Sequence, residues 1–367
     1  KLLDFAIIRD KIPIYSLDAS YMIDKETGYI KLNRFSASTM KEFKEASVEL
    51  QSKGAKNLVL DLQGNGGGYL NVSIDLANEF IDGRKLIVYT HGNNHPRTEY
   101  KASTMGMWES GRVVIMVDEG SASASEIVSG AVQDWDRGVI IGRRTFGKGL
   151  VQKPYNLPDG SMMRLTVAKY YTPTGRLIQK PYEKGFKEYS RDIITRFNNG
   201  ELTNADSIHF PDSLKYETLI NKRTVYGGGG IMPDIFVPID TNAYTDLYRD
   251  ILRKGIIYRY VLNYIDNNRD ELNQKYKNFE LFKKDFKTPE YMLDSILSIA
   301  YKDGVEEREE QVSQTKEHIS LIVKALMARD FWNTTEYFQI MNSSRPEYNK
   351  AIEIITDRRK YNQIIKP

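Results

Sequence analysis

The sequence predicts an α/β fold with a largely parallel sheet, a β-rich stretch after it, and an all-helical region to close. Three observations lead there. Short apolar runs alternate with amphipathic stretches from Tyr21 to Gly142, two β-rich runs meet around Pro158-Asp159-Gly160, and apolar residues after Thr241 recur at helical spacing. A chain of 367 residues has room for about two or three domains. The expected divisions are residues 1–15, 16–240 and 241–367.

Taken in order, residues 1–15 carry Phe5-Ala6-Ile7-Ile8 and then Arg9-Asp10-Lys11, which reads as one strand leaving another module. Residues 28–32 read as a strand and 38–52 as a helix that Ser38 can cap, with Phe43, Ala46, Val48 and Leu50 as its apolar positions. A buried strand over 57–62, a helix over 71–81 and a strand over 85–89 follow. A strand over 112–117 leads into a helix over 124–135, and 139–142 is a further strand. The runs 150–155 and 162–171 form a hairpin across the Pro158-Asp159-Gly160 turn. Residues 180–221 read as polar and irregular, and 235–237 as a closing strand. Beyond Thr241, Leu247, Ile251, Ile256, Val261 and Ile265 keep helical spacing, as do Ile319, Ile322, Ala325 and Leu326. Between them Glu306-Glu307-Arg308-Glu309-Glu310 reads as a solvated helix face.

Composition closes several doors. The chain has no cysteine, which excludes a disulfide scaffold, a Cys-ligated metal site and a thiol nucleophile. Lys plus Arg number 52 against 49 Asp plus Glu, a net charge of +3, so no nucleic-acid partner is expected. No run of ~18 apolar residues reads as a membrane span. The first residue is Lys1 rather than Met, which points to a processed product, and the lack of cysteine fits an oxidising compartment.

Three motifs bear chemistry. Gly64-Asn65-Gly66-Gly67-Gly68 follows a buried strand and opens a helix, which suits either an anion-binding nest or a tight turn. It fails as a dinucleotide fingerprint, because the third glycine position falls on Tyr69. Gly142 to Gly149 has the spacing of a phosphate-binding loop, but Gly149 stands where a Ser or Thr must hold magnesium, and Pro154 follows where a helix is required. What remains is Lys148 between two glycines, with Gln152 four residues on; in a strand the two share a face. The serine cluster Ser121-Ala122-Ser123-Ala124-Ser125-Glu126 lies at a strand–turn–helix junction, where a hydroxyl can be presented at a helix N-terminus. Ser123-x-x-Glu126 also has capping-box spacing, so capping and catalysis both stand at this point.

Taken together, residues 60–68, 120–126, 142–152 and 170–176 resemble, in order and spacing, the carboxy-terminal processing peptidases, also called tail-specific proteases. The resemblance covers roughly residues 8–240. It implies a crotonase/ClpP-like βα core and a serine endopeptidase with a Ser/Lys dyad: Ser123 as nucleophile, Lys148 as general base, and Gln152 holding the lysine. It further suggests N–H groups of Ala124 and of Gly67 or Gly68 for the oxyanion hole, with Glu126 and Asp134 in support, no metal and no cofactor. The substrates implied are protein or peptide C-terminal tails, in the bacterial periplasm or cell envelope, and the helical region is expected to serve assembly into a homo-oligomer.

The residue types suit that chemistry. None of His91, His95, His209 or His318 sits in a recognisable triad motif. A lysine serves as base only when neutral, so a pKa near 10.4 must fall by about 2–3 units, roughly 3–4 kcal/mol. Burial beside Phe146 and Val151 is the expected cause. Gln63 and Gly66 depart from the resembled pattern, which more usually has arginine and proline there. A PDZ module usually precedes the core in that family, and residues 1–15 correspond only to its trailing strand. A catalytically silent peptide- or ligand-binding scaffold on the same fold is the competing expectation.

Overall fold

The computed structural model describes residues 5, 8–10, 14–182, 185–240 and 244–366. The strand expected over 1–15 lies largely outside them. Strand β1 (Leu17–Met22) pairs antiparallel with β2 (Thr27–Leu32), and helix α1 (Thr39–Ser52) leads to β3 (Asn57–Asp61) and α2 (Leu70–Asn78). Strands β4 (Leu86–Gly92) and β5 (His95–Lys101) form a hairpin before β6 (Val113–Val117), α3 (Ala124–Asp134) and β7 (Val139–Gly142). The expected second hairpin is β8 (Leu150–Asn156) with β9 (Met162–Tyr171). Helix α4 (Gly185–Asn198), the small pair β10 (Lys215–Glu217) and β11 (Thr224–Tyr226), and β12 (Ile235–Phe236) complete this part.

The main sheet has the order β1-β2-β3-β6-β7-β12, parallel from β2 to β12. A second, antiparallel sheet has the order β5-β4-β9-β8. The central strands of the main sheet are buried on both faces, which is why they read as unbroken apolar runs. Leu58, Leu60, Val113, Ile115 and Ile140 point to one core, which α1, α2 and α3 cover with Phe43, Leu76 and Val128. Val59, Val114, Met116, Val139 and Ile141 point to the other face.

That second face is closed by the far end of the chain. Helices α5 (Asp246–Arg253), α6 (Ile256–Lys275), α7 (Phe279–Asp285), α8 (Glu290–Lys302), α9 (Val312–Phe331) and α10 (Thr334–Met341) share a core of their own around Ile265, Phe282, Ile296 and Val323. Helices α11 (Pro346–Thr356) and α12 (Arg358–Ile365) instead lay Tyr348, Ala351, Ile354, Ile355, Tyr361 and Ile365 on the sheet. The Tyr361 hydroxyl accepts the Val113 N–H at 3.2 Å.

Several local expectations change. Val48 is 59% exposed, so only Phe43, Ala46 and Leu50 form the buried stripe of α1. Ser38 precedes α1 without a side-chain cap bond; its hydroxyl is engaged with Ser36 and Ser16 instead. The stretch expected to be irregular contains α4, whose one buried residue is Arg196, which donates to the carbonyls of Thr145 and Arg144 at 3.0 and 2.6 Å. The Glu306–Glu310 charge run is solvated but not α-helical; it is a loop ending in one 3-10 turn before α9.

Candidate active site

Parallel strands end on one edge, and the loops after β3, β6 and β7 therefore emerge side by side. They are the glycine loop Gly64–Gly68, the serine loop 118–123, and the lysine loop 143–149. A set of buried polar side chains ties them together. Asp118 Oδ1 accepts the N–H groups of Gly64 and Gly120, each at 2.9 Å, and the Ser121 hydroxyl donates to the Leu62 carbonyl at 2.8 Å. The Asn65 carbonyl accepts the Ala122 N–H at 3.0 Å and the Ser125 hydroxyl at 2.9 Å. Burial pushes the Asp118 carboxyl up from its ordinary range.

Ser123 ends the serine loop at the N-terminus of α3 with φ +56° and ψ −108°, a conformation that a non-glycine residue rarely holds. Strain of this kind costs about 1–3 kcal/mol and persists only where the surroundings enforce it. The enforcing group is Glu126, fully buried. Its Oε2 accepts the N–H of Ser123 at 2.7 Å and of Lys148 at 2.8 Å, while Oε1 accepts the Thr145 hydroxyl and the Gly147 N–H, each at 2.6 Å. Complete burial pushes this carboxyl above its ordinary range, and the donors pull against it. Glu126 is thus the joint between the serine and lysine loops.

The glycine loop packs on Ser123 at backbone distance. A Cβ on Gly67, which has φ +94°, would lie 2.7 Å from the Ala122 carbonyl oxygen, 2.8 Å from Ser123 Cβ and 2.9 Å from the Ala124 nitrogen. Only glycine permits that approach. Gly67 spends its own N–H on Asn65 Oδ1 at 2.9 Å. The N–H groups of Gly68 and Ala124 have no hydrogen-bond partner among the described residues, Ala124 being at the first turn of α3.

Lys148 reaches this edge through its backbone alone. Its side chain is exposed and makes no hydrogen bond or ion pair among the described residues, and the expected burial beside Phe146 and Val151 is absent. Phe146 faces Lys180 instead, with that ammonium 3.9 Å from the ring centroid. Gln152 is exposed on β8 opposite Thr166. Lys148 and Gln152 do not share a strand face, because β8 begins only at Leu150 and its pairing shifts between Val151 and Gln152. Asp134 lies eleven residues beyond Ser123 at the other end of α3, about 16 Å away at ~1.5 Å per residue. There it pairs with Arg176 and accepts the Thr174 N–H and hydroxyl, each at 2.8 Å, which fixes the 172–176 turn rather than the serine.

Sequence reasoning missed Asn65, Asp118, Ser121, Ser125 and Thr145, whose side chains bond the loops to one another. Asn65 had a visible signal, a short amide between glycines that can fold back on its own backbone. It also missed Arg345 in the helical region, which donates to Asp61 Oδ2 at 3.1 Å and to Gln63 Oε1 at 2.5 Å. Burial opposes ionisation of Asp61, but Lys31, Arg345 and the Tyr29 hydroxyl outweigh it and hold the carboxyl below its ordinary range. No group of three or more His, Asp or Glu among the described residues is arranged to hold a metal ion, and none of the described helices is long and apolar enough to cross a membrane.

Comparison with known proteins matches residues 26–187 to peptidase family S41, a span that contains Gly67, Gly68, Ser123, Lys148 and Gln152. Residues 247–333 match a family of unknown function. A carboxyl-terminal-processing protease of Picosynechococcus sp. is 42% identical over 156 residues, covering 42% of this chain and 37% of that relative. The carboxy-terminal processing protease CtpA of Bacillus subtilis is 39% identical over 185 residues, covering 50% of this chain and 39% of its own length. Among solved structures, the photosystem II D1 C-terminal processing protease is 34% identical with a TM-score of 0.41, over 47% of each chain. The chain thus spans well under half the length of the curated relatives it matches.

Proposed function

Residues 26–187 belong to peptidase family S41, and on that premise we propose that this chain is a serine endopeptidase of the carboxy-terminal processing type, working through a Ser123/Lys148 dyad. The observation that carries the reading is the approach of Gly67 to Ser123 and Ala124, with Ser123 held at positive φ. In the proposed reaction Lys148, neutral, takes the Ser123 hydroxyl proton as Oγ attacks the scissile carbonyl carbon. The oxyanion that forms is held by the N–H groups of Gly68 and Ala124, each donor being worth roughly 3 kcal/mol. Collapse breaks the C–N bond, the lysine returns the proton to the leaving amine, and water then hydrolyses the acyl-enzyme by the same route. Gln152 is proposed to orient the amine in that state. Lys148 must fold its side chain inward to act, while Glu126 holds its N–H in place at 2.8 Å.

The proposed substrates are proteins with unfolded, apolar C-termini, the proposed location of this chain is the bacterial periplasm or cell envelope after export, and assembly through the helical region 241–367 belongs to the same reading. A silent binding scaffold is the competing one, favoured by the exposed Lys148 side chain. Treatment with a serine-directed phosphonate and mass spectrometry separates the two. Labelling at Ser123, loss of hydrolysis of an unfolded protein in Ser123→Ala and Lys148→Ala, and unchanged folding in both support the dyad. An unlabelled serine, or wild-type activity in Lys148→Ala, would sink it. If Ser123 only caps α3, Ser123→Ala costs ~1 kcal/mol of stability and nothing else.

A further inference from the structure

The start of α11 touches the roots of the glycine and lysine loops and reaches the serine loop through the latter. Arg345, the residue before α11, directs one nitrogen to Asp61 Oδ2 at 3.1 Å and another to Gln63 Oε1 at 2.5 Å, where β3 becomes the glycine loop. Lys31 shares this anchor, donating to the Gln63 carbonyl at 3.1 Å. Glu347, in the first turn of α11, pairs with Arg143 at the root of the lysine loop, and Arg143 in turn donates to Glu119 at 2.7 Å in the serine loop. Asp61 is fully buried and the Arg143 side chain is 7% exposed, so these bonds work where water competes little. The first residues of one helix from the helical region thus hold the ends of β3, β6 and β7 in one polar chain.

We propose that Arg345 and Glu347 are positioning residues that set the glycine, serine and lysine loops in register for hydrolysis. They touch no reacting atom. Their effect passes through Asp61 and Gln63 to the Gly68 N–H, and through Arg143 and Glu119 to Ser123. An arginine suits this place because its planar fork meets a carboxylate and an amide oxygen at once, which a lysine ammonium does not. Arg345 is about one quarter exposed at its side chain, enough for a small cation to reach the gap its removal leaves.

The inference rests on the peptidase reading above, and its test keeps the two apart. In the full chain, hydrolysis of an unfolded protein is measured as separate kcat and KM values for wild type, Arg345→Ala, Arg345→Lys and Glu347→Gln, with amide exchange followed over residues 64–68, 119–123 and 143–148. Arg345→Ala is expected to lower kcat by about tenfold to a hundredfold with KM nearly unchanged, and to speed exchange in the glycine and serine loops. Millimolar guanidinium is expected to restore part of that kcat in Arg345→Ala and none in Ser123→Ala. Arg345→Lys falls between, and Glu347→Gln loosens the lysine loop first. If Arg345→Ala does not fold, the latter two variants carry the comparison. Wild-type kcat in the variants, or a lost kcat with unchanged exchange, overturns the proposal. If wild type neither cleaves nor labels at Ser123, the peptidase reading fails by itself; faster exchange in the variants then still supports the positioning of the loops, and unchanged exchange overturns it.

Discussion

Ser123 donates its N–H to Glu126 Oε2 at 2.7 Å, and the same oxygen accepts the Lys148 N–H at 2.8 Å. One carboxylate oxygen therefore sets the distance between the main chains of the two residues expected to do the chemistry. Glu126→Gln puts an amide NH2 against backbone donors that cannot turn away, whichever way it flips. Leaving buried N–H groups unpaired costs about 1–3 kcal/mol, so a urea melt is expected to show a loss of that size. Phosphonate labelling of Ser123 is expected to slow with it.

Gly67→Ala is expected to be worse for reactivity than for folding. The added methyl meets the Ala122 carbonyl, Ser123 Cβ and the Ala124 nitrogen inside 3.0 Å and sits at φ +94°. The backbone strain alone is worth more than about 1 kcal/mol. Pushing the glycine loop off Ala124 widens the oxyanion site, for which a lost donor costs about 10²–10³ in rate. The labelling rate of Ser123 in the variant, against its thermal midpoint, is the measurement.

Asp61 gives stability a defined pH dependence. Its native carboxyl titrates below its ordinary range, so the folded state binds fewer protons than the unfolded one between the two values. The stabilisation is complete above the unfolded pKa of about 3.9 and is lost as pH falls through the native value. Asp61→Asn is expected to be less stable by about 2–3 kcal/mol at neutral pH. The gap to wild type should close in acid, as denaturant melts from pH 7 to pH 3 would show.

Ile355 on α11 is fully buried against the main sheet. Ile355→Ala is expected to cost about 2–5 kcal/mol, as much as a comparable cut in the core under α1 to α3. An effect below 1 kcal/mol in a urea melt would mean that the sheet holds together without its last helices.

The parallel sheet was legible because strands buried on both faces announce themselves as apolar runs, as in Asn57–Asp61 and Val113–Val117. The N-terminus of α3 was legible from the Ser123-x-x-Glu126 spacing, since reach-back bonds are local. Strand β5 was not, because its sequence HPRTEYK is polar on a hairpin with little buried surface. Helix α4 was missed among the polar residues around it, although Phe186, Tyr189, Ile193 and Phe197 keep helical spacing, and it is fastened by buried Arg196. The placing of Lys148 and Gln152 on one face assumed an unbroken strand, and the shift between Val151 and Gln152 breaks it. Arg345 had no local signal at all: its partners Asp61 and Gln63 lie 284 and 282 residues away.

The closure of the sheet by α11 and α12 also sets an order of events during synthesis. Val113 and the Tyr361 hydroxyl that caps it are 248 residues apart, so a ribosome finishes β6 long before the helix that shields it exists. At roughly 5–20 residues per second, that face of β3, β6 and β7 is expected to stay open to water, or to a chaperone, for tens of seconds. Arg345 and Glu347 arrive in the same late stretch. A nascent chain that already carries Ser123, Lys148 and the glycine loop is therefore expected to lack the bonds from Arg345 and Glu347 to its loop roots until α11 docks.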